Sequence, residues 1–490
     1  MTRLPLALLT IALSTSAFAQ PPSPSTLDGI WLGTLHAGAA SLRVQLRIHQ
    51  DAGNWTCSFD SLDQNATDVP CTVVSATNPI AIEVPAAQGK LSGSLTANTI
   101  DATWTQGSPL PITLERQTTA AKPTPPPPPQ AALPPADAKS IQAILDKDLA
   151  IALTSGALAP ATHAGVTIGV VSHGQRSVFS YGAAKPDSVF EIGSITKTFT
   201  GLILAQMVEQ KSVRLTDPVR ELLPAGTVAE PDSGLEITLL DLSDQHSGLP
   251  RMPDNFAPAD HANPYADYDT KLLYAYIAKR GVALTSTAPF EYSNLGVGLL
   301  GAALANRANL SYNDLLHLQI TGPLRMTDTA IPLSPSMRAR FLEGHDAAHN
   351  PAHAWDLDAL AGAGGIRSTA ADMLTYLEAQ LHPDKLPATA ASTPQGKTLP
   401  AAIAASHTIH AEVAPGAHIA LNWFRIDATG NFWHNGGTGG YSSYALFNPD
   451  KDFALIVLFN TGPSRDTFAD KLGQHIAQRL AGQPAVSLAP

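Results

Sequence analysis

A proline-rich segment divides this sequence into two regions that we expect to fold separately. Residues 118–136 consist mostly of Thr, Ala, Gln and Pro and include five consecutive prolines from Pro125. Proline runs favour the extended polyproline II conformation and act as semi-rigid spacers, so no sheet or helix continues through them. The chain has 490 residues, which is also more than one hydrophobic core usually organises. We therefore predict a linker at 118–136 between two domains.

The first residues of the chain have the pattern of an export signal. Arg3 supplies a positive start, residues 4–13 are apolar, and Ala17-Phe18-Ala19 has the small-x-small pattern of a cleavage site. Position 20 is Gln, so no cysteine is present there to carry a lipid. The apolar run is too short to span a bilayer, and no later stretch is long enough. We predict a periplasmic or secreted protein without a transmembrane anchor.

The overall charge argues against some classes of partner. The formal net charge is -11, and the 14% of charged residues include no run of Lys or Arg. Such a chain lacks the basic patch with which proteins hold nucleic acids or anionic lipid surfaces. We expect no nucleic-acid partner. The oligomeric state stays open.

Residues 20–117 are predicted to form a small all-β domain. Residues 42–48 alternate apolar and polar side chains, as in a half-buried strand, and residues 80–84 do the same. Short strands separated by Gly, Asn, Asp and Pro are typical of a small barrel or sandwich. The three tryptophans of this region either fill its core, which we favour, or stack on sugar rings. They are Trp31, Trp55 and Trp104.

Cys57 and Cys71 are the two cysteines of the chain. In the oxidising compartment that the signal implies, a pair this close in sequence predicts a disulfide. Two separate buried thiols are the alternative.

The larger region, 137–482, has strand patterns at both ends and mostly helical sequence between them. Helical spacing of apolar residues at 137–154 is followed by a hairpin pattern at 166–181. Two more strand patterns occur at 441–447 and 453–459, before a final helix. This arrangement predicts one sheet, closed by segments distant in sequence, with a helical insertion.

Ser194 and Lys197 form the first candidate catalytic pair. They are three residues apart at the predicted start of a helix over 198–210, so their side chains share a helix face. Serine needs a group that accepts its proton, and an amine does so once burial lowers its pKa. We interpret Ser194 as a nucleophile and Lys197 as its base.

Tyr292 and Asn294 form a second candidate element, Tyr-x-Asn. A phenolic oxygen near a lysine can be held partly ionised and relay a proton to a leaving group. The Asn294 amide can hold that lysine and a substrate carbonyl. Asn294 can also be the N-cap of the helix predicted at 295–304, and both interpretations stay open.

The third element is His434-Asn435-Gly436-Gly437, just before the C-terminal hairpin. Glycines at Gly436 and Gly437 let a strand edge approach a substrate closely and direct its N–H groups at an oxyanion. A second His-x-Gly at 246–248 leads into Leu249-Pro250, and we interpret it as a structural turn.

The sequence offers little for a metal or cofactor. His345, His349 and His353 have helical spacing, but Asn350-Pro351 interrupts that helix and no His-Glu-x-x-His is present. No Gly-x-Ser-x-Gly elbow and no nucleotide-binding glycine loop occurs. We predict neither a metal nor a cofactor.

Together, these motifs resemble the class C β-lactamase and DD-peptidase superfamily of penicillin-binding serine hydrolases. The motifs that carry the resemblance are, in order, Ser194-x-x-Lys197, Tyr292-x-Asn294 and His434-x-Gly436. The likeness covers residues 140–480 and not 20–136. It implies an α+β/α, β-lactamase-like transpeptidase fold, in which a five-stranded antiparallel sheet flanked by helices lies beside a helical subdomain. The expected organisation is a signal peptide at 1–19, a small β-rich domain at 20–117, a proline-rich linker at 118–136, a serine hydrolase domain at 137–482 and a tail at 483–490.

The resemblance also implies roles for the motif residues. Ser194 would form an acyl-enzyme activated by Lys197, and Tyr292 would handle protons. Asn294 would orient Lys197 and the substrate, and the N–H groups of Ser194 and Gly437 would form an oxyanion hole.

One departure affects the expected substrate. Many β-lactamases carry Lys-Thr-Gly where this chain has His434-Asn435-Gly436, and a histidine holds a substrate carboxylate more weakly and in a pH-dependent way. Arg465 is a candidate for a compensating carboxylate-binding group. The expected substrate is a peptidoglycan-like peptide, a β-lactam or an ester. We expect a D-Ala-D-Ala carboxypeptidase or endopeptidase, or a related amide hydrolase; the alternatives are an esterase or true class C β-lactamase and, more distantly, a non-catalytic cell-wall binding protein.

Overall fold

The computed structural model describes most of the chain as two compact units, divided between residues 126 and 127. The described residues are 26–489, except 38, 39, 65, 88, 107, 124–127, 232, 233, 285, 287, 388, 389, 465 and 466. The predicted signal peptide at 1–19 lies outside them. Among the helices of the described ranges, none combines the length and the apolar character that a membrane span requires.

The first unit is all β, as the alternating pattern predicts. In its described part, nine antiparallel strands follow the order β4-β3-β2-β1-β9-β8-β7-β6-β5, so β1 joins two meanders by pairing with both β2 and β9. The strands are β1 Gly29–Ala37, β2 Ala40–Asp51, β3 Asn54–Ser61, β4 Ala66–Pro70, β5 Thr72–Ser75, β6 Ile80–Val84, β7 Gly89–Leu95, β8 Thr99–Gln106 and β9 Ser108–Gln117.

A disulfide and an apolar core stabilise this unit. Cys57 on β3 pairs with Cys71 before β5, with Cα atoms 5.0 Å apart, and the Cys71 N–H donates to the Cys57 carbonyl. A cross-link that closes a loop of this size stabilises a fold by about 3 kcal/mol in the chain-entropy model. Trp31 and Trp104 are buried in the core and Trp55 packs against it, as the core-filling interpretation requires.

The second unit contains the sheet that carries the C-terminal hairpin. Its described strands follow the order β11-β10-β23-β22-β21-β20-β19-β18, all antiparallel. The expectation of five strands is corrected to eight, because three short strands extend the sheet beyond β21. The strands of this unit are β10 Gly165–Ser172, β11 Gln175–Gly182, β12 Val189–Glu191, β13 Leu235–Glu236, β14 Ala283–Leu284, β15 Gly344–His345, β16 Pro351–Ala352, β17 Arg367–Thr369, β18 Ala411–Ala414, β19 Ala417–Ile419, β20 Phe424–Ile426, β21 Asn431–Gly437, β22 Ser442–Asn448 and β23 Phe453–Phe459.

Helices cover both faces of this sheet and form a separate helical region. The described helices are α1 Ile141–Asp148, α2 Ala150–Ser155, α3 Thr196–Glu209, α4 Leu239–Ser243, α5 Thr270–Arg280, α6 Asn294–Ala308, α7 Tyr312–Leu316, α8 Gly322–Leu324, α9 Pro335–Arg338, α10 Ala361–Gly364, α11 Ala370–Leu381, α12 Pro394–Ser406 and α13 Phe468–Leu480. α11 packs on β10, β22 and β23, and α13 packs on β22 and β23.

The alternation of side chains along β23 explains why the sheet needs cover on both faces. Ile456 belongs to the core shared with α3 and α11, whereas Leu455 and Val457 belong to the core shared with α1 and α13. A strand that is buried on both sides is apolar at every position, as 453–459 is.

α3 is the central helix of the helical region. It is buried along nearly its whole length and contacts α6, α10 and α12. A helix that is buried on all sides requires packing partners on every face. Because the turn Gly193–Ile195 leads directly into α3, this packing fixes the position of the candidate nucleophile, Ser194.

Both ends of the second unit differ from the boundaries expected from sequence. Gln130 and Ala485 exchange backbone hydrogen bonds of 2.7 and 3.0 Å, and the Ala136 N–H donates to the Arg479 carbonyl. Leu488 is buried. Residues 128–136 and 483–489 therefore pack within the second unit rather than forming part of a linker and a tail. Composition does not reveal this because each segment is ordered by the other.

Candidate active site

Ser194 lies in a single turn of 3-10 helix, Gly193–Ile195, between β12 and α3. This turn packs closely against β21. Gly193 has a φ of +50°, and a Cβ at that position would lie 2.5 Å from the Gly437 nitrogen. A Cβ on Gly436 would likewise overlap the Ile192 carbonyl oxygen. Both glycines therefore allow the turn that contains Ser194 and the edge of β21 to approach each other.

Lys197 lies one helical turn after Ser194, with its side chain fully buried. Its Nζ is 3.0 Å from Ser194 Oγ, 2.8 Å from Asn294 Oδ1 and 2.7 Å from the Ala363 carbonyl oxygen. Burial, and secondarily the positive charge of Arg251, hold the pKa of Lys197 well below its usual range. A neutral amine has two N–H groups for the two carbonyl-type acceptors, which leaves its lone pair for the Ser194 hydroxyl proton.

Asn294 is free to bind Lys197 because Ser293, not Asn294, caps helix α6. Ser293 Oγ accepts the Gly296 N–H at 2.8 Å and donates to the Pro250 carbonyl at 2.7 Å. Asn294 is the first residue inside the helix. The interpretation of Asn294 as the N-cap is therefore wrong, and its amide oxygen accepts from Lys197 instead.

Tyr292 lies beside the same amine. Lys197 Nζ is 4.9 Å from the centre of its ring and the Arg251 guanidinium carbon is 5.2 Å from it. Burial raises the pKa of Tyr292 to about 12, and its hydrogen bond with Ser194 and the charge of Arg251 only partly oppose this rise. The expectation of a partly ionised phenol is corrected: at neutral pH the hydroxyl keeps its proton.

His434 is only 1% exposed and forms no cationic anchor. Its Nδ1 donates to the neighbouring Asn435 carbonyl at 2.6 Å. Burial, with the nearby Lys197, lowers the pKa of His434 to about 3. The expected pH-dependent hold on a carboxylate is therefore corrected, because the ring stays neutral at every pH near neutrality.

The edge of β21 presents a backbone N–H towards Ser194. The Thr438 N–H donates to the Tyr441 carbonyl across the hairpin, so the preceding N–H, that of Gly437, points away from β22. On that side β20 pairs only with 431–433. The Gly437 N–H is thus left at the cavity that contains Ser194.

Asn435, between these positions, is held by a buried carboxylate. Its Nδ2 donates to Asp470 Oδ2 at 2.9 Å. Burial raises the pKa of Asp470 to about 6, opposed by this hydrogen bond.

Two cavities meet at Ser194. The larger has a volume of about 360 Å³ and is lined by Arg251, Tyr292, Phe424, Asn435 and Gly437 among others. The smaller measures about 30 Å³ and lies towards Asn294, Trp355, Leu357 and Leu360. That volume admits one or two water molecules or a group of the size of a methyl.

Sequence reasoning missed several groups that build this site. Gln245 Oε1 accepts the Ser293 N–H at 2.7 Å, and the Arg251 carbonyl accepts the N–H groups of Asn294 and Leu295. The segment 246–248 ends at Gly248, which has a φ of +61°, and Arg251 follows three residues later. None of these residues, nor the Ala363 carbonyl, belongs to a spaced motif, so no pattern in the sequence could have indicated them.

Arg465 and the histidines at spacing four, two features singled out in the sequence, remain to be placed. Arg465 lies outside the described residues. In the ranges that the structure covers, no group of three or more His, Cys, Asp and Glu side chains is arranged to hold a metal ion. His345 is instead in a short strand, beside the Asn460 side chain.

Comparison with known proteins identifies the family. The Beta-lactamase family model matches residues 152–478, which is more than half of the chain and contains all three motifs. The chain belongs to the β-lactamase family. This match confirms the family resemblance that the motifs indicated. It also confirms the expected fold, which is β-lactamase-like and preceded by an all-β domain.

Relatives of this β-lactamase-family protein have related names. A D-alanyl-D-alanine-carboxypeptidase/endopeptidase, AmpH, of Escherichia coli is 29% identical over 312 residues, 61% of this chain and 80% of the relative. A Beta-lactamase of Pseudomonas fluorescens is 26% identical over 338 residues, 61% of this chain and 88% of the relative. Protein flp of Staphylococcus aureus is 23% identical over 325 residues, covering 64% of this chain and 61% of the relative. Family membership makes this chain a serine hydrolase.

Proposed function

We propose that this β-lactamase-family hydrolase cleaves peptides that end in D-alanine, through an acyl-enzyme on Ser194. The observation that carries the proposal is the buried Lys197 amine, 3.0 Å from Ser194 Oγ, with both of its N–H groups accepted by other oxygens. A nucleophile with a neutral base at hydrogen-bond distance is the arrangement that serine acyl transfer requires.

The residues support one sequence of proton transfers. Ser194 Oγ attacks the substrate carbonyl as Lys197 takes its proton, and the N–H groups of Ser194 and Gly437 stabilise the oxyanion. The C–N bond then breaks as the protonated Tyr292 hydroxyl gives its proton to the leaving nitrogen and regains one from Lys197. Water attacks the ester by the reverse sequence, which releases the acid and restores Ser194. Each oxyanion donor typically stabilises the transition state by about 3 kcal/mol.

Two features favour a peptidase over a true β-lactamase. The cavity of about 30 Å³ on the Asn294 side of Ser194 suits a methyl side chain, such as that of alanine, better than a bulky acyl group. His434 is neutral where a β-lactamase-like lysine would hold the carboxylate of the drug. The name of the relative AmpH, a D-alanyl-D-alanine-carboxypeptidase/endopeptidase, also supports a peptidase.

The alternatives are an esterase or a class C β-lactamase on the same residues. A non-catalytic cell-wall binding role is disfavoured. Lys197 is buried without a carboxylate partner in the described part of the chain, which lowers the stability of the fold, and a protein without catalytic activity would gain nothing from keeping such a lysine. The signal-like start of the sequence and the Cys57–Cys71 disulfide support a periplasmic or secreted location.

Relative turnover tests the proposal. The mature protein and its S194A variant would be given an acyl-D-Ala-D-Ala peptide, a chromogenic cephalosporin and a short acyl ester. We expect release of D-alanine to exceed cephalosporin hydrolysis in kcat/KM, and all turnover to disappear in S194A. Faster cephalosporin hydrolysis would indicate a β-lactamase, and turnover of the ester alone would indicate an esterase.

A further inference from the structure

The guanidinium of Arg251 stands at the larger cavity without a carboxylate partner in the described residues. Arg251 is exposed, and no ion pair or side-chain hydrogen bond to it is present in the described ranges. Its backbone is fixed, because its carbonyl accepts the Asn294 and Leu295 N–H groups at 3.1 and 3.2 Å. The side chain therefore extends from a rigid base beside Tyr292.

Arg251 is also the one charged side chain among the described residues that line this cavity. The remaining lining is Ser194, Tyr292, Phe424, Asn435, two glycines, Pro463 and Thr467. His434 stays neutral nearby. In a chain with a net charge of -11, an unpaired cation at the nucleophile favours an anionic ligand.

We propose that Arg251 binds the terminal carboxylate of the substrate's leaving residue in the larger cavity. The proposal rests on the proposed function, in which the smaller cavity takes the acyl side chain and the leaving residue occupies the space of about 360 Å³. A guanidinium presents paired N–H donors that match a carboxylate, and such charge-assisted hydrogen bonds are stronger than neutral ones. Arg251 thus supplies the positive charge that His434 does not.

A different role for Arg251 has to be separated from this one. Its charge helps to lower the pKa of Lys197 and its guanidinium lies over the Tyr292 ring, so removing it alters the catalytic groups as well. Turnover alone cannot distinguish the two roles. Binding of uncleaved peptides can distinguish them. A change at Lys197 would alter the binding of a peptide that ends in a carboxylate and of the same peptide ending in a carboxamide equally, because both carry the same acyl segment.

The test is calorimetric binding to protein carrying S194A. Two acyl-D-Ala-D-Ala peptides would be compared, one with a free terminal carboxylate and one with a carboxamide. We expect S194A to bind the carboxylate peptide about tenfold or more tightly than the amide. Adding R251M should abolish this preference and adding R251K should keep part of it. R425M is the matched control and should keep the preference, because Arg425 on β20 already forms an ion pair with Asp427.

Each outcome decides the proposal. Equal binding of both peptides by S194A, no measurable binding of the carboxylate peptide, or an undiminished preference after R251M would overturn it. A preference lost in R465M but kept in R251M would assign the carboxylate to Arg465 instead and overturn it as well. Because binding is measured without turnover, the proposed function is judged separately, by D-alanine release from the protein with Ser194 intact.

Discussion

Lys197 Nζ lies 3.0 Å from Ser194 Oγ, and the lysine side chain has no exposed surface. The two residues are three apart in sequence, so the turn of helix that holds them fixes their separation. The burial of Lys197 supplies the second requirement, a pKa low enough for the amine to accept a proton. Local geometry and long-range packing thus contribute separately to this candidate catalytic pair.

Lys197→Ala should lower kcat/KM for every substrate by about 100-fold or more, because general bases contribute about 10² to 10⁴. The fold should be retained, as checked by circular dichroism. In the parent protein, activity should rise with pH as Lys197 loses its proton, with the midpoint well below 10.5. Asp470, whose pKa burial raises to about 6, is a second titrating group beside the site, so D470N is the control in which the dependence of activity on pH should persist. Acylation of K197A at the parent rate would contradict the assignment.

Lys197 should also make stability depend on pH. The unfolded lysine holds its proton up to about pH 10.4, whereas the folded one releases it at lower pH. Between the two pKa values the unfolded state binds more protons, so the free energy of unfolding rises with pH by at most about 1.4 kcal/mol per unit. K197M lacks this contribution. Urea unfolding at several pH values should show that the free energy of unfolding of the parent rises with pH relative to that of K197M. If the two free energies change with pH in parallel, a depressed pKa of Lys197 is excluded.

Tyr292→Phe should reduce acylation by about 10² to 10⁴, and once Lys197 is neutral the rate of the parent protein should not rise further up to about pH 10. The reason is that the proposed mechanism uses the protonated hydroxyl of Tyr292, whose pKa burial raises to about 12. Single-turnover rates across this pH range are the measurement. A rate that rises steeply with pH and depends on Tyr292 would show that the phenolate, not the phenol, is the active form.

His434→Lys should strengthen binding of carboxylate-bearing β-lactams by about tenfold, since it adds a charge that the neutral ring does not provide. H434Q is the matched neutral control and should bring no gain. Inhibition constants against ester hydrolysis measure the effect. Equal gains in both variants would mean that space rather than charge limits binding at this position.

Elements that depend on local pattern were predictable from the sequence. Alternation indicated the strands around 42–48 and 80–84, and a spacing of three residues indicated that Ser194 and Lys197 would lie side by side. Tyr292 and Asn294 were also found, because they form a short motif. Their placement beside Lys197 agrees with the resemblance, although spacing alone could not have shown it.

Features that depend on burial or on distant partners were not predictable. The charge states of Tyr292 and His434 follow from packing around them, which no residue spacing reveals. β18 to β20 are strands of three or four residues, too short to leave a clear alternation. Arg251 was missed because a single arginine after a turn has no pattern, and its significance lies in what surrounds it.

The most direct test of the central claim is covalent labelling of the folded protein with a fluorophosphonate, followed by peptide mapping. This probe needs an activated serine and no particular substrate, so it reports on Ser194 under any of the candidate activities. We predict one label on the peptide that contains Ser194, much slower labelling in K197A and none in S194A. An unlabelled parent protein, or equal labelling of the parent and S194A, would contradict Ser194 as the nucleophile.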